Sequence, residues 1–261
     1  MLRTTLKNTL KAPLAARLPL LLLPVAFAFS SYSNASPKWS NISLSYLSGS
    51  NYEVGDKDKE VITLEVASGM SWGDSFVFVD RLKSDDGTNE TYFELGARYS
   101  LKPWLNNALP SAALKDVKLA GQWESGTLSG NGFSNSFDNY LYGIGFDWDI
   151  EKFKYVSTNV YLRNNEGKPD NEQLTITWGL PFSLGQAEFL FDGFWDITTK
   201  THSNSQWSSN FTPQLKLDLG KLLLKQKGKL YLGMEYVYWV NKFNIDGIDE
   251  KNPNLLIKWH F

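Results

Sequence analysis

From residue 40 onward the chain alternates with a period of two. Segments of roughly ten residues put apolar side chains on one face and small, polar or charged ones on the other, and polar or glycine-rich links separate them. In the first, over 41–48, Ile42, Leu44 and Tyr46 alternate with Ser43 and Ser45. The pattern returns at about 60–68, 75–81, 91–101, 115–125, 137–149, 153–163, 172–180, 186–198, 210–219, 229–240 and 253–261. These segments predict twelve strands. The links over 49–59, 84–90, 126–136, 164–171, 199–209 and 241–252 read as long and polar, whereas 69–73, 150–152 and 181–185 read as tight turns. The links over 102–114 and 220–228 break that alternation. The first has room for a short helix, and the second is partly apolar and fit to extend its flanking strands.

The third segment shows what the two faces are for. Val77 and Val79 share one side; Phe76, Phe78 and Asp80 share the other. A soluble strand would set its aromatics in a core, away from charge. A face mixing aromatics with a carboxylate suits a wet cavity, and the opposite aliphatic face suits lipid. The other segments repeat this division, with mid-strand charges at Glu65, Asp80, Glu94, Arg98, Arg163, Asp192 and Glu235. A β-sandwich core has no place for these charges. An even strand count, spanning length and aromatics flanking the segments predict an all-β fold, a twelve-stranded antiparallel transmembrane β-barrel. Phe261 closes the last segment in phase with its apolar face, as in bacterial outer-membrane barrels.

Residues 1–35 are of another kind. Arg3, Lys7, Lys11 and Arg17 are their only charges, a short apolar run follows, and Ser33-Asn34-Ala35 offers small residues for cleavage. A secretory signal peptide is expected over 1–35, with the barrel over 36–261. Its removal takes four of the 26 basic residues and leaves the 28 acidic ones in excess, for a net charge of about −6. Such a balance argues against a nucleic acid polymer as partner. With no cysteine and only His202 and His260, disulfides, thiol chemistry and histidine-rich metal sites are not expected, nor is a cofactor.

Several stretches carry a family resemblance. Phe78-Val79-Asp80, Arg98-Tyr99-Ser100-Leu101, Gly143-Ile144-Gly145 with Asp147, Asn159-Val160-Tyr161-Leu162-Arg163, Asp192-Gly193-Phe194-Trp195-Asp196 and the final Trp259-His260-Phe261 together resemble the Tsx/OmpK family of nucleoside-specific channel-forming outer-membrane proteins. The resemblance implies a twelve-stranded barrel in the bacterial outer membrane and passive diffusion of nucleosides, deoxynucleosides included, through a narrow aromatic-lined pore. Nucleosides pair a flat base with an uncharged hydroxylated sugar, so aromatic faces and hydrogen-bonding groups should line the path. The lumen-facing candidates are Phe76, Phe78, Tyr161 and Phe194 for stacking, and Asp80, Glu94, Arg98, Asn159, Arg163, Asp192 and Asp196 for polar contacts. The Phe78-x-Asp80 and Phe194-x-Asp196 pairs, six strands apart, should stand on opposite walls. Any one of the charges can equally serve as half of a structural ion pair. The expected partners are small solutes, outer-membrane lipid and the barrel-assembly machinery, with the chain a monomer.

Two other classes stay open. One is a lipid-hydrolysing barrel, although neither His202 nor His260 stands in register with a serine and an acid. The other is a structural or adhesive barrel whose loops serve as a phage or bacteriocin receptor; a filled, interlocked lumen would favour it.

Overall fold

The computed structural model describes residues 36–105, 109, 111–130 and 132–261, so the signal peptide expected over 1–35 lies outside the described residues. Twelve antiparallel strands close on themselves, each pairing with its neighbours in sequence and β1 pairing with β12. They are β1 (Trp39–Gly49), β2 (Lys59–Gly69), β3 (Gly73–Ser84), β4 (Asn89–Ser100), β5 (Leu114–Gly130), β6 (Phe133–Trp148), β7 (Tyr155–Asn165), β8 (Asn171–Leu184), β9 (Ala187–Thr198), β10 (Ser208–Asp218), β11 (Leu230–Val240) and β12 (Glu250–His260). Closure removes the free sheet edge over the shared span of the strands, where backbone polar groups are met by neighbours on both sides. The end carrying Trp39 and His260 is called proximal here, and the opposite end distal.

Register and alternation fix the two surfaces. Ile42, Leu44, Ile62, Leu64, Leu95, Leu119, Ile144, Val160, Leu162, Leu255 and Ile257 are exposed on the outer face. Val77 and Val79 share that face through their pairings with Val66 and Leu64. Burying none of these aliphatics in protein would be unfavourable in water, at about 25 cal/mol for each Å² of apolar surface, and is natural in hydrocarbon. The polar groups turn inward instead: Ser43, Ser45, Thr63, Lys118, Glu124, Asn139, Lys216, Asn252, Asn254 and Lys258 are all buried. An apolar exterior around a polar interior is the arrangement of a bacterial outer-membrane barrel.

The expected twelve strands are all present, but some boundaries differ. The expected loop over 126–136 is mostly strand: Gly126 pairs with Phe137 and Leu128 with Asn135. The Phe137 ring lies where a Gly126 side chain would be, 2.3 Å from an ideal Cβ, so an aromatic covers the glycine and keeps the hairpin paired. The expected turn over 181–185 is likewise strand up to Leu184, with Pro181 opposite Leu190. The link over 220–228 holds a π-helix, Gly220–Leu224, rather than extending the strands. Tight links therefore occur at both ends, and loop length alternates less than expected.

The interior is not uniformly polar. Leu256, Leu47, Val61 and Leu82 form a row across four adjacent strands on the lumen side. Leu256 is 0% exposed. Tyr52, from the β1–β2 loop, packs on this patch.

Candidate functional site

The lumen wall is built from inward positions of all twelve strands, and most of its charge is internally matched. Near the proximal end Arg98 grips Asp74 with two nitrogens, at 2.7 and 2.8 Å, and reaches Asp147 at 3.0 Å. Lys118 joins both carboxylates, at 2.5 Å from Asp74 and in contact with Asp147. Asn159 Oδ1 accepts a bond from Arg98 (3.4 Å), and the Ser157 hydroxyl donates to Asp147 (2.7 Å). Farther along, Arg163 donates to both oxygens of Glu124, at 3.1 and 2.7 Å, and to Gln173. Lys216 pairs with Asp192 at 2.7 Å, and Lys258 pairs with Glu65. Of the expected solute contacts, Arg98, Asn159, Arg163 and Asp192 are therefore held in the wall's own network.

Tyr161 departs furthest from expectation. It is 3% exposed and packed with Ala120 and Leu141, so it offers no face for stacking. Ala120 packs on it and Gly143 pairs with it without a side chain, so the ring lies against the wall.

The remaining candidates stay within reach of water. Phe76, Phe78, Asp80, Glu94, Phe194 and Asp196 are all half-buried on the lumen side. Phe76 and Phe78 stack at 6.2 Å; Phe78 meets Tyr92 edge-on at 6.4 Å, and Tyr92 meets Phe137 at 6.4 Å. Four rings from β3, β4 and β6 thus form a continuous aromatic path along one wall. Tyr92 and Phe137 are absent from the sequence-based site; the signal available was their shared parity with Glu94 and Asn139. Along this path Asp80 accepts from the Thr63 hydroxyl and Glu94 from Tyr92 (2.6 Å), and on β9 Asp196 accepts from Thr175 (2.5 Å) and Gln173 (3.2 Å).

β3 and β9 do stand on opposite walls. Strands in a closed barrel are tilted and staggered, so equal motif positions on opposite walls need not be level.

At the distal mouth the β1–β2 loop is bonded to inward residues of β12. In the β1–β2 loop the Asn51 amide donates to Asn252 Oδ1 (3.0 Å), the Glu53 amide to Glu250 (2.9 Å), and the Tyr52 hydroxyl to Asn254 Oδ1 (3.3 Å). Lys59 sits 5.0 Å from the Tyr52 ring centre and pairs with Glu90. Burial, reinforced by the charges of Glu235 and Glu250, pushes the Tyr52 phenol above its usual range, so it stays a neutral donor. Lys242, just after β11, pairs with Glu250 at 2.6 Å and lies 4.7 Å from the Trp239 ring. Replacing Tyr52 by alanine removes the loop's anchor on the aliphatic row. The variant is expected to show a higher and noisier single-channel conductance than the parent, with the barrel still folded; an unaltered current trace would mean that the loop does not narrow the path.

Among the described residues neither histidine ring bonds a serine hydroxyl. His202 Nδ1 accepts from the Asn204 amide at 3.2 Å, and His260 Nδ1 lies 2.8 Å from Asn41 Oδ1.

Residues 40–261 match the family described as Domain of unknown function (DUF5020). No curated protein matches the chain by sequence. Among solved structures, the barrel is similar to the KdgM porin, with 10% identity and a TM-score of 0.49 over 85% of this chain and 99% of that one. The KdgM porin in complex with disordered oligogalacturonate gives 9% identity and a TM-score of 0.46 over 85% and 99%. Pseudomonas aeruginosa OccK11 (OpdR) gives 10% identity and a TM-score of 0.40 over 89% of this chain and 68% of that one.

Proposed function

We propose that this chain, which belongs to the family described as Domain of unknown function (DUF5020), is an outer-membrane channel for passive diffusion of small flat hydroxylated solutes, nucleosides foremost. The observation that carries the reading is the aromatic path Phe76–Phe78–Tyr92–Phe137, half-buried on the lumen side of β3, β4 and β6 beside inward polar groups. Apolar rings left facing water inside a barrel are unfavourable unless something covers them in use. A base or a sugar ring sliding from one to the next would do so, at about 1–3 kcal/mol per stacked base. Carboxylates and amides beside the rings supply acceptors and donors for ribose hydroxyls and base edges. Several weak contacts in series favour flux over retention, because a solute must leave as readily as it enters. On this reading the proximal end faces the periplasm and the distal loops face outward.

The resemblance of the strand motifs to the nucleoside-specific Tsx/OmpK channels supports nucleosides over other flat solutes. A liposome-swelling assay comparing nucleosides, neutral sugars, sugar acids and amino acids of similar size tests the choice. Nucleosides are expected to enter fastest; equal rates for all would leave a general pore. In planar bilayers, Phe78→Ala together with Phe194→Ala is expected to raise the nucleoside concentration needed for half-block of ion current by about fivefold or more. Unchanged block would remove both rings from the solute path.

A further inference from the structure

The charges in the lumen do not balance, and the imbalance faces the water. Each inward-facing lumen cation described above already has an acidic partner: Lys59 has Glu90, Arg98 and Lys118 share Asp74 and Asp147, Arg163 has Glu124, Lys216 has Asp192, and Lys258 has Glu65. Asp116 and Asp218, at the proximal ends of β5 and β10, are bonded by the Ser100 hydroxyl and by backbone amides, and farther along the lumen four more inward carboxylates stand outside these pairs. Asp80, Glu94, Asp196 and Glu235 accept hydrogen bonds only from uncharged donors; for Glu235 these are Gln214 (2.7 Å) and Asn254 (3.3 Å).

A second observation points the same way. In several of the pairs the carboxylate is the more exposed member. Side-chain exposure is 1% for Lys216 against 14% for Asp192, 7% for Lys258 against 26% for Glu65, and 5% for Lys59 against 30% for Glu90. In these three pairs the ammonium group is packed into the wall and its partner's oxygens are the more exposed; Arg163–Glu124 (11% against 5%) and Lys242–Glu250 (9% against 1%) run the other way. Asp80, Glu94, Asp196 and Glu235, without an ion partner, are half-buried and open to the lumen water.

Resting on the channel reading above and going one step past it, we propose that the lumen selects by charge: it admits cationic and neutral solutes and rejects anions, with Asp80, Glu94, Asp196 and Glu235 as the side chains that set the preference. A narrow passage with low-dielectric walls focuses the field of such groups, and rings of acidic side chains are a known route to cation preference. The lysines at the proximal mouth do not reverse it. Lys227 is 72% exposed and pairs with Glu188 at 2.5 Å, and exposed charges beyond about 10 Å are largely screened at ordinary salt. A nucleoside would therefore pass where the same nucleoside carrying a phosphate would not.

The test uses the full chain in planar bilayers under a potassium chloride gradient, with liposome swelling by adenosine and by adenosine monophosphate as a matched pair. Potassium is expected to permeate about fivefold or more over chloride, the effect of one unit charge a few ångströms from a hydrated ion. Adenosine should enter faster than its monophosphate. The quadruple variant D80N/E94Q/D196N/E235Q should conduct with a ratio near unity and admit the two solutes more evenly. A parent ratio at or below unity, equal entry of the two solutes, or a variant that keeps the parent's ratio overturns the proposal. If the quadruple variant does not fold, the parent's ion ratio and matched solute pair decide the matter alone. A chain that conducts no ion overturns the channel reading together with this one; a chain that conducts without preference overturns this one only.

Discussion

Replacing Arg98 by alanine is expected to destabilise the folded barrel by about 3 kcal/mol, among the largest losses for a single side chain in the lumen. Arg98 holds Asp74 with two nitrogens and Asp147 with a third, and its guanidinium is 18% exposed against 20% for each carboxylate. Removing it leaves Lys118 as the only cation between two carboxylates drawn from β3 and β6. Most of the loss comes from the charge left uncompensated rather than from the pair itself, because breaking one side of a buried pair costs more than removing both. The double variant R98A/D147N should therefore recover much of the stability, with Lys118 and Asp74 matched one to one. Guanidinium unfolding of the refolded barrel, followed by the shift between folded and unfolded gel mobility, measures both variants. The explanation fails if R98A matches the parent or if the double variant is no better than the single.

The wall of this barrel was readable from the sequence because period-two alternation is local. Phe76, Phe78 and Asp80 face inward as Val77 and Val79 face out, and the same parity places Glu94, Arg98, Arg163, Asp192 and Asp196 in the lumen. Composition misled where pairing overrode it. The Gly, Ser and Asn of 126–136 look like a loop, yet Phe137 covers Gly126 and the hairpin continues. Pro181 looks like a turn, yet β7 begins at Tyr155 opposite Gly179. Past that point β8 is bonded on one side only and tolerates a residue without an N–H.

The site was less legible, because it depends on partners several strands away. Nothing near Arg98 in sequence announces Asp147, and nothing near Arg163 announces Glu124; both meetings follow from strand register and closure. Tyr161 alternates correctly but is taken up by Ala120 and Leu141, which only the folded wall brings beside it. Tyr52 lies in a loop that reads as solvent-exposed, and its burial depends on an aliphatic row contributed by four strands. Parity thus identifies which side chains can meet a solute, and packing decides which of them are free to do so.

A second large effect is expected at Gly143. An ideal Cβ there would lie 1.8 Å from the Val160 carbonyl oxygen and 3.0 Å from the Tyr161 Cα, so β6 and β7 approach more closely than any side chain allows. Both obstructing atoms are backbone, and neither can move without opening the pairing of Gly143 with Tyr161 and Ile144 with Val160. That pairing also sets Asp147 and Ser157 beside each other, and Asn159 beside Arg98. Gly143→Ala is enough to create the clash, and Gly143→Val adds branching. Losses of about 3 kcal/mol or more are expected, with little folded, gel-shifted barrel recovered. Gly121, an outward-facing glycine with nothing within 4 Å of its ideal Cβ, provides the contrast: Gly121→Val should fold as well as the parent. Equal folding of G143A and G121V would show that β6 and β7 can separate at Gly143 without loss, and the close approach would then not be what seats Tyr161 against the wall.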